Sequence, residues 1–140
     1  MEQWACPSCG NTFVTPRMAH SCVVVDLAEH FPPRPGDGAQ TQIPALFDAY
    51  VAFVERHGGP VKVIPQRTRI ALQSRIRFGS VVVRRDWLDV ALWLKQRAEH
   101  PRLRNVDDLG KAGFYHWFRL TDPDQLDDAL GALISVAYRM

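Results

Sequence analysis

At 140 residues the chain is long enough to bury one sizeable core, and its 46% hydrophobic and 23% charged residues are the composition of an ordinary globular domain. No apolar run approaches the roughly 18 residues of a membrane span, and the N-terminal Glu2, Trp4 and Cys6 lack the basic-then-apolar order of a signal peptide. The net charge of +2 conceals a separation: Pro60 to Arg104 holds eleven Lys and Arg against three acids, and the remainder is acidic, which predicts a dipolar molecule with one basic region.

The N-terminal stretch from Trp4 to Cys22 contains all three cysteines of the chain. Cys6 and Cys9 stand two apart around Pro7, and Gly10 follows, the shape of a zinc knuckle in which a tight turn aims backbone N–H groups at thiolates. His20 and Cys22 supply the other two ligands. Residues i and i+2 of an extended chain point the same way, so the pair converges on one ion. Cys6, Cys9, His20 and Cys22 therefore predict a closed, structural Zn²⁺ site, with His30 in reserve. The plainer alternative is buried thiols or a disulfide with one cysteine left over. Reduced, metal-binding cysteines predict a cytoplasmic protein.

A short strand or turn and a helical turn from Asp26 complete a module over 1–31. Pro32, Pro33, Pro35, Gly36 and Gly38 make residues 32–41 a linker, and the main domain spans 42–140. Residues 42–57 read as a helix, with Pro44 in its first turn and Gly58-Gly59 as its stop. Ile43, Leu46, Phe47, Tyr50 and Val54 form its apolar stripe. Strands follow over Val61–Ile64, Arg67–Gln73, Arg75–Phe78 with Val81–Val83, and Trp87–Lys95. Arg97–Gly113 reads as a long functional loop, and Phe114–Leu120 as the last strand. A final helix begins at Asp122 with Pro123 and Gln125 as a capping box, and buries Leu126, Leu130, Leu133 and Ala137. The pattern predicts an α+β fold: an antiparallel meander of about five strands with both helices on one face.

The motifs W-A-C-P-S-C-G with H-S-C, His30-Phe31, G-P-V-K-V-I-P, T-R-I-A-L, R-F-G-S-V, W-L-D-V-A-L-W-L, Pro101-Arg102, His116, Leu126-Asp127 and Ala137-Tyr138 carry a resemblance over nearly the whole chain. The chain resembles a bacterial group of small domains of unknown function, labelled predicted transport or DNA-binding proteins, here fused to the zinc knuckle. The resemblance implies a fold similar to the small α+β domains of the MmcQ/YjbR type. It implies no established activity.

Arg67, Arg69, Arg75 and Arg77 fall at strand spacing, so one sheet face is expected to carry all four with Trp87 and Trp93 as stacking platforms. Guanidinium groups on phosphate and rings on bases would make a nucleic-acid surface; a solvated basic face is the bland alternative. A second expectation is a pocket for a small anion around His116, Arg102 and the long loop. Against it, His116 lies between Phe114 and Phe118 at two-residue spacing, as a core histidine would. A protein-interaction module is the third. The sequence has no G-x-S-x-G, phosphate-cradling glycine loop or H-E-x-x-H, so it offers no positive sign of catalysis. Oligomeric state is not legible here.

Overall fold

In the computed structural model the described residues are 3–7, 12–14, 17, 25–31 and 42–140. The first long element, α1 (Gln42–His57), coincides with the predicted helix. Its Ile43, Leu46, Phe47, Tyr50 and Val54 are all buried, joined by Phe53. Pro44 is tolerated because the first turn has no intrahelical acceptor for its missing N–H. Beyond α1, Gly59 takes φ +150°, and the Tyr138 hydroxyl donates to the Pro60 carbonyl at 2.7 Å, which locks the exit of the helix to the C-terminus.

Two short strands, β1 (Trp4–Ala5) and β2 (Thr12–Phe13), pair as a hairpin. The main sheet comprises β3 (Lys62–Pro65), β4 (Ile70–Gln73), β5 (Arg77–Val83), β6 (Leu88–Leu94), β7 (Leu103–Asp108) and β8 (Phe114–Leu120). All its pairings are antiparallel, and its order is β3-β4-β5-β6-β8-β7. The fold is α+β with two α-helices, as expected, but the main sheet has six strands rather than about five.

The additional strand is β7, inside the segment read from sequence as a functional loop. Leu103-Arg104-Asn105-Val106-Asp107-Asp108 carries no clean apolar alternation because it forms an edge, where only Leu103 and Val106 are half-buried. A second correction concerns β5, which runs unbroken through Gly79 and Ser80. A Cβ at Gly79 would lie 2.7 Å from the Ala91 carbonyl oxygen, so the glycine marks close approach of the β6 backbone, not a break. The C-terminal helix also starts later than predicted. Asp122 accepts the Asp124 N–H and caps only a 3-10 turn, Pro123–Gln125. The helix proper, α2 (Asp128–Tyr138), is capped by Asp127, whose Oδ1 accepts the Leu130 N–H at 2.8 Å. Gln125 reaches back to the Thr121 N–H instead of closing a capping box.

The core follows from period-two alternation. Ile70, Leu72, Val81, Leu88, Val90, Leu92, Leu94, Phe118 and Leu120 share one sheet face and form one cluster with the α1 stripe and with Leu130, Ile134 and Ala137 of α2. Leu126 and Leu133, predicted for the inner stripe, pack at its margin.

Gly79→Ala is expected to destabilise the protein by about 1–3 kcal/mol through overpacking against β6, the opposite sign to the usual strand preference for alanine over glycine. A urea midpoint unchanged or raised in this variant would refute the close approach as the reason for the glycine.

Candidate functional site: the sheet face opposite the helices

The second face of the main sheet is divided in two. Over β4 and β5 it meets the N-terminal hairpin. The Gln73 amide donates to the Thr12 carbonyl at 2.8 Å, and the Gln3 amide to the Arg75 carbonyl at 2.7 Å. The Arg77 guanidinium lies 4.9 Å from the Phe13 ring centroid, a cation–π contact, and Trp4 packs beside Phe13. Gln73, Phe13 and Cys6 are buried. So short a hairpin has no core of its own and takes one from the sheet.

Over β6 and β8 the same face carries Trp93, Tyr115 and Trp117, each half-buried. Trp93 opposes Tyr115, and Trp117 stands two residues along the same strand, opposite Ala91 and Asn105. The two indoles are fixed by their edges: Trp93 Nε1 donates to the Ala112 carbonyl and Trp117 Nε1 to Asp107 Oδ2, each at 2.7 Å. The acids on this face are hydrogen-bonded. Asp89 accepts from Trp87 Nε1 and Arg84 Nε, both at 3.1 Å, with Arg119 Nε 3.9 Å away, and Asp107 also accepts from Asn105. Arg119 in turn lies 4.2 Å over the Trp87 ring. Asp89 is thus paired with cations, whereas Asp107 keeps its charge among neutral donors, on a face dominated by aromatic rings.

The predicted arginines are placed at two ends of the sheet. Arg67 and Arg69 lie in the β3–β4 turn, which the Gln66 N–H closes on the Arg69 carbonyl. Arg75 lies in the β4–β5 turn and donates to the Met140 carbonyl at 2.6 Å, and Arg77 sits under Phe13. Ile70 opposes Val81, so the end that bears Arg67 and Arg69 is also the end of the β5–β6 turn with Arg84 and Arg85. That end is the arginine-rich rim. Trp93 lies on the expected face and Trp87 at its rim. Tyr115, Trp117 and Arg119 were missed, although the alternation that turns His116 inward already turns them outward.

Of the predicted zinc ligands, Cys6 directly follows β1; Cys9, His20 and Cys22 lie outside the described residues. Among the described residues, no three His, Cys, Asp or Glu side chains gather to hold a metal. His30, the reserve ligand, ends a 3-10 turn (Leu27–His30) capped by Asp26, and its Nε2 donates to the Gln66 carbonyl at 2.6 Å.

His116 is fully buried on the helix side of the sheet. Its Nε2 accepts the Ala98 N–H at 2.9 Å, which makes it a neutral acceptor, and burial holds its pKa below the ordinary histidine value. Arg102 lies in the turn before β7, where its N–H donates to His100 Nδ1 at 3.0 Å. His100 Nε2 then donates to Asp127 Oδ1 at 3.2 Å. With both ring nitrogens engaged, this His–Asp pair clamps the turn to the α2 cap and leaves no nitrogen to activate a nucleophile. The Leu130 N–H, chiefly, holds Asp127 below the usual carboxylate range. A cavity of about 360 Å³ adjoins Ala98 between β6 and α2, lined by Leu94, Arg97, Leu133, Val136 and Met140 among others; neither His116 nor Arg102 lines it.

Residues 37–140 match the model of the domain of unknown function DUF5655, so the chain belongs to that family. The match begins beyond the cysteine-bearing segment. No curated protein and no solved structure matches the chain. Among the described residues no helix is long and apolar enough to cross a membrane.

The depressed pKa of His116 has a definite sign. The unfolded chain takes up this proton more readily, so stability is fully present above the unfolded value near 6.5 and falls as pH drops below it. His116→Gln is expected to flatten that part of the melting-temperature profile. An unchanged slope in the variant would show that another group carries it. Asp127 contributes at more acid pH, where its depressed carboxylate finally protonates.

Proposed function

We propose that this is a zinc-containing, non-enzymatic binding protein whose sheet face opposite the helices takes single-stranded nucleic acid. The observation that carries the reading is the set Trp93, Tyr115 and Trp117 on two paired strands, each half-exposed and both indoles fixed at their N–H edges. Base stacking on aromatics tolerates any sequence, and arginines at one rim, Arg67, Arg69 and Arg85, suit the phosphate backbone. The DNA-binding label attached to the family resemblance agrees with this reading. The proposed surface differs from the four-arginine face expected from sequence because Arg75 and Arg77 are engaged by the C-terminus and by Phe13.

Fluorescence anisotropy with single- and double-stranded DNA and RNA over a salt series tests the proposal. Single strands should bind at low salt. Trp93→Ala and Trp117→Ala should each weaken binding by about 1–3 kcal/mol. Arg67→Glu with Arg85→Glu should lower the salt slope. Absence of binding at low salt, or indifference to both tryptophans, overturns it.

The zinc part of the reading rests on the Cys6-x-x-Cys9 and His20-x-Cys22 spacing and on burial of Cys6 beside the hairpin. His20 completes the set, since His30 Nε2 serves Gln66. Zinc would close the segment around the hairpin and supply the folding energy that two two-residue strands lack. Elemental analysis of full-length protein purified without chelators should give about one zinc per chain. Cys9→Ser with Cys22→Ser should lose the metal while 42–140 stays folded; full retention would refute the ligand set.

A further inference from the structure

The C-terminal helix carries a second apolar stripe beside the one it offers to the core. Leu133 and Val136 of α2, with Met140 one turn further on, line the cavity of about 360 Å³ between β6 and α2, and Leu94 faces them. Val136 is 58% exposed, one of two large hydrophobic residues left exposed among the described residues. Residues 95–98, the bend after β6, complete the wall. We infer that this cavity takes a medium-chain fatty acid, with its tail on Leu94, Leu133, Val136 and Met140 and its carboxylate at Lys95 and Arg97.

The charge at the rim selects the class of ligand. Lys95 and Arg97 are exposed, yet both line the cavity. Long cationic side chains meet this combination by laying methylene stems along an apolar wall and keeping the charged head in water. The two heads therefore stand at the mouth. Neither has an ion pair or side-chain hydrogen bond among the described residues, and no acidic side chain lines the cavity. An uncharged apolar ligand would leave both cations unused, and a small hydrophilic anion would leave the apolar wall uncovered. A carboxylate on an alkyl chain satisfies both, and the planar guanidinium of Arg97 matches a carboxylate bidentately.

Both walls are held before any ligand arrives. The Ala98 N–H donates to His116 Nε2 at 2.9 Å, which ties the bend after β6 to the buried histidine. The Met140 carbonyl accepts from Arg75 at 2.6 Å, and the Met140 N–H donates to the Ala137 carbonyl at 3.3 Å, which fixes the other end. A cavity formed in advance loses less to ordering when it binds. Its volume is at the small end of the usual range of about 300–1,000 Å³ for small-molecule sites, which suits a medium chain rather than a long one. The cavity lies on the helix side of the sheet, so this inference does not depend on nucleic-acid binding by the aromatic face.

NMR titration of the full-length, methyl-labelled protein with octanoate tests the inference, with octanol as the uncharged probe and acetate as the tailless one. Octanoate should bind with a Kd below about 1 mM, and octanol and acetate at least about tenfold more weakly. Bound octanoate methylenes should give nuclear Overhauser contacts to the Leu133 and Val136 methyls. Lys95→Glu with Arg97→Glu should weaken octanoate at least about tenfold and leave octanol unchanged. Val136→Trp, a change at an exposed helix position that fills the cavity, should abolish binding of both while circular dichroism stays native. A wild type that does not bind octanoate overturns the inference. So does equal affinity for octanol, binding that survives Val136→Trp, or Overhauser contacts confined to other methyls. Val136 signals that shift with protein concentration alone would place a second copy over the cavity and overturn it as well.

Discussion

The pairing of β6 with β8 is the constraint on which the rest of the molecule depends. Every residue from Leu88 to Leu94 has a registered partner between Leu120 and Phe114. This single ladder sends Val90, Leu92, Phe118 and His116 to the helices, and Trp93, Tyr115 and Trp117 to the other side. A slip of one residue would exchange the two sets, burying indoles and exposing the core. The helices add weight to the same choice, because α2 packs on β5 and β6 and offers Leu130, Ile134 and Ala137 to the apolar set.

With one face committed to the core, the other has two neighbours to accommodate. The N-terminal hairpin occupies the part over Gln73 and Arg77, where a buried amide and a guanidinium both find partners. The aromatic part over β6 and β8 is left half-exposed, its acids hydrogen-bonded and its indoles held at their edges. Surfaces of this kind present rings without paying the entropy of ordering them on binding. His116 Nε2 and the His100–Asp127 clamp, by contrast, fasten the segment before β7.

Several features were legible in the residues. α1 and β8 appear at their predicted bounds because long apolar periodicities of 3.6 and 2 residues admit one reading. Where sequence reasoning failed, the reasons are physical. Arg67 and Arg69 alternate with apolar residues as a strand would, yet they form a turn because the Gln66 N–H closes on the Arg69 carbonyl. Gly79 looked like a break and is an approach. Asp122-Pro123 has the chemistry of a helix start, but a second capping aspartate, Asp127, takes the α-helix five residues further on.

The sequence by itself determined the α+β class, the existence of two helices and the buried stripe of the first, the inward side of the last strand and the segregation of positive charge along the chain. These are local properties, set by periodicity and by the conformations each residue allows. Only the tertiary structure decided that β7 lies outside β8, that four arginines fall at two ends of the sheet, and that the face opposite the helices is aromatic rather than basic. Each of these depends on which strands become neighbours, and neighbour choice is settled by the burial of a whole core rather than by any one segment.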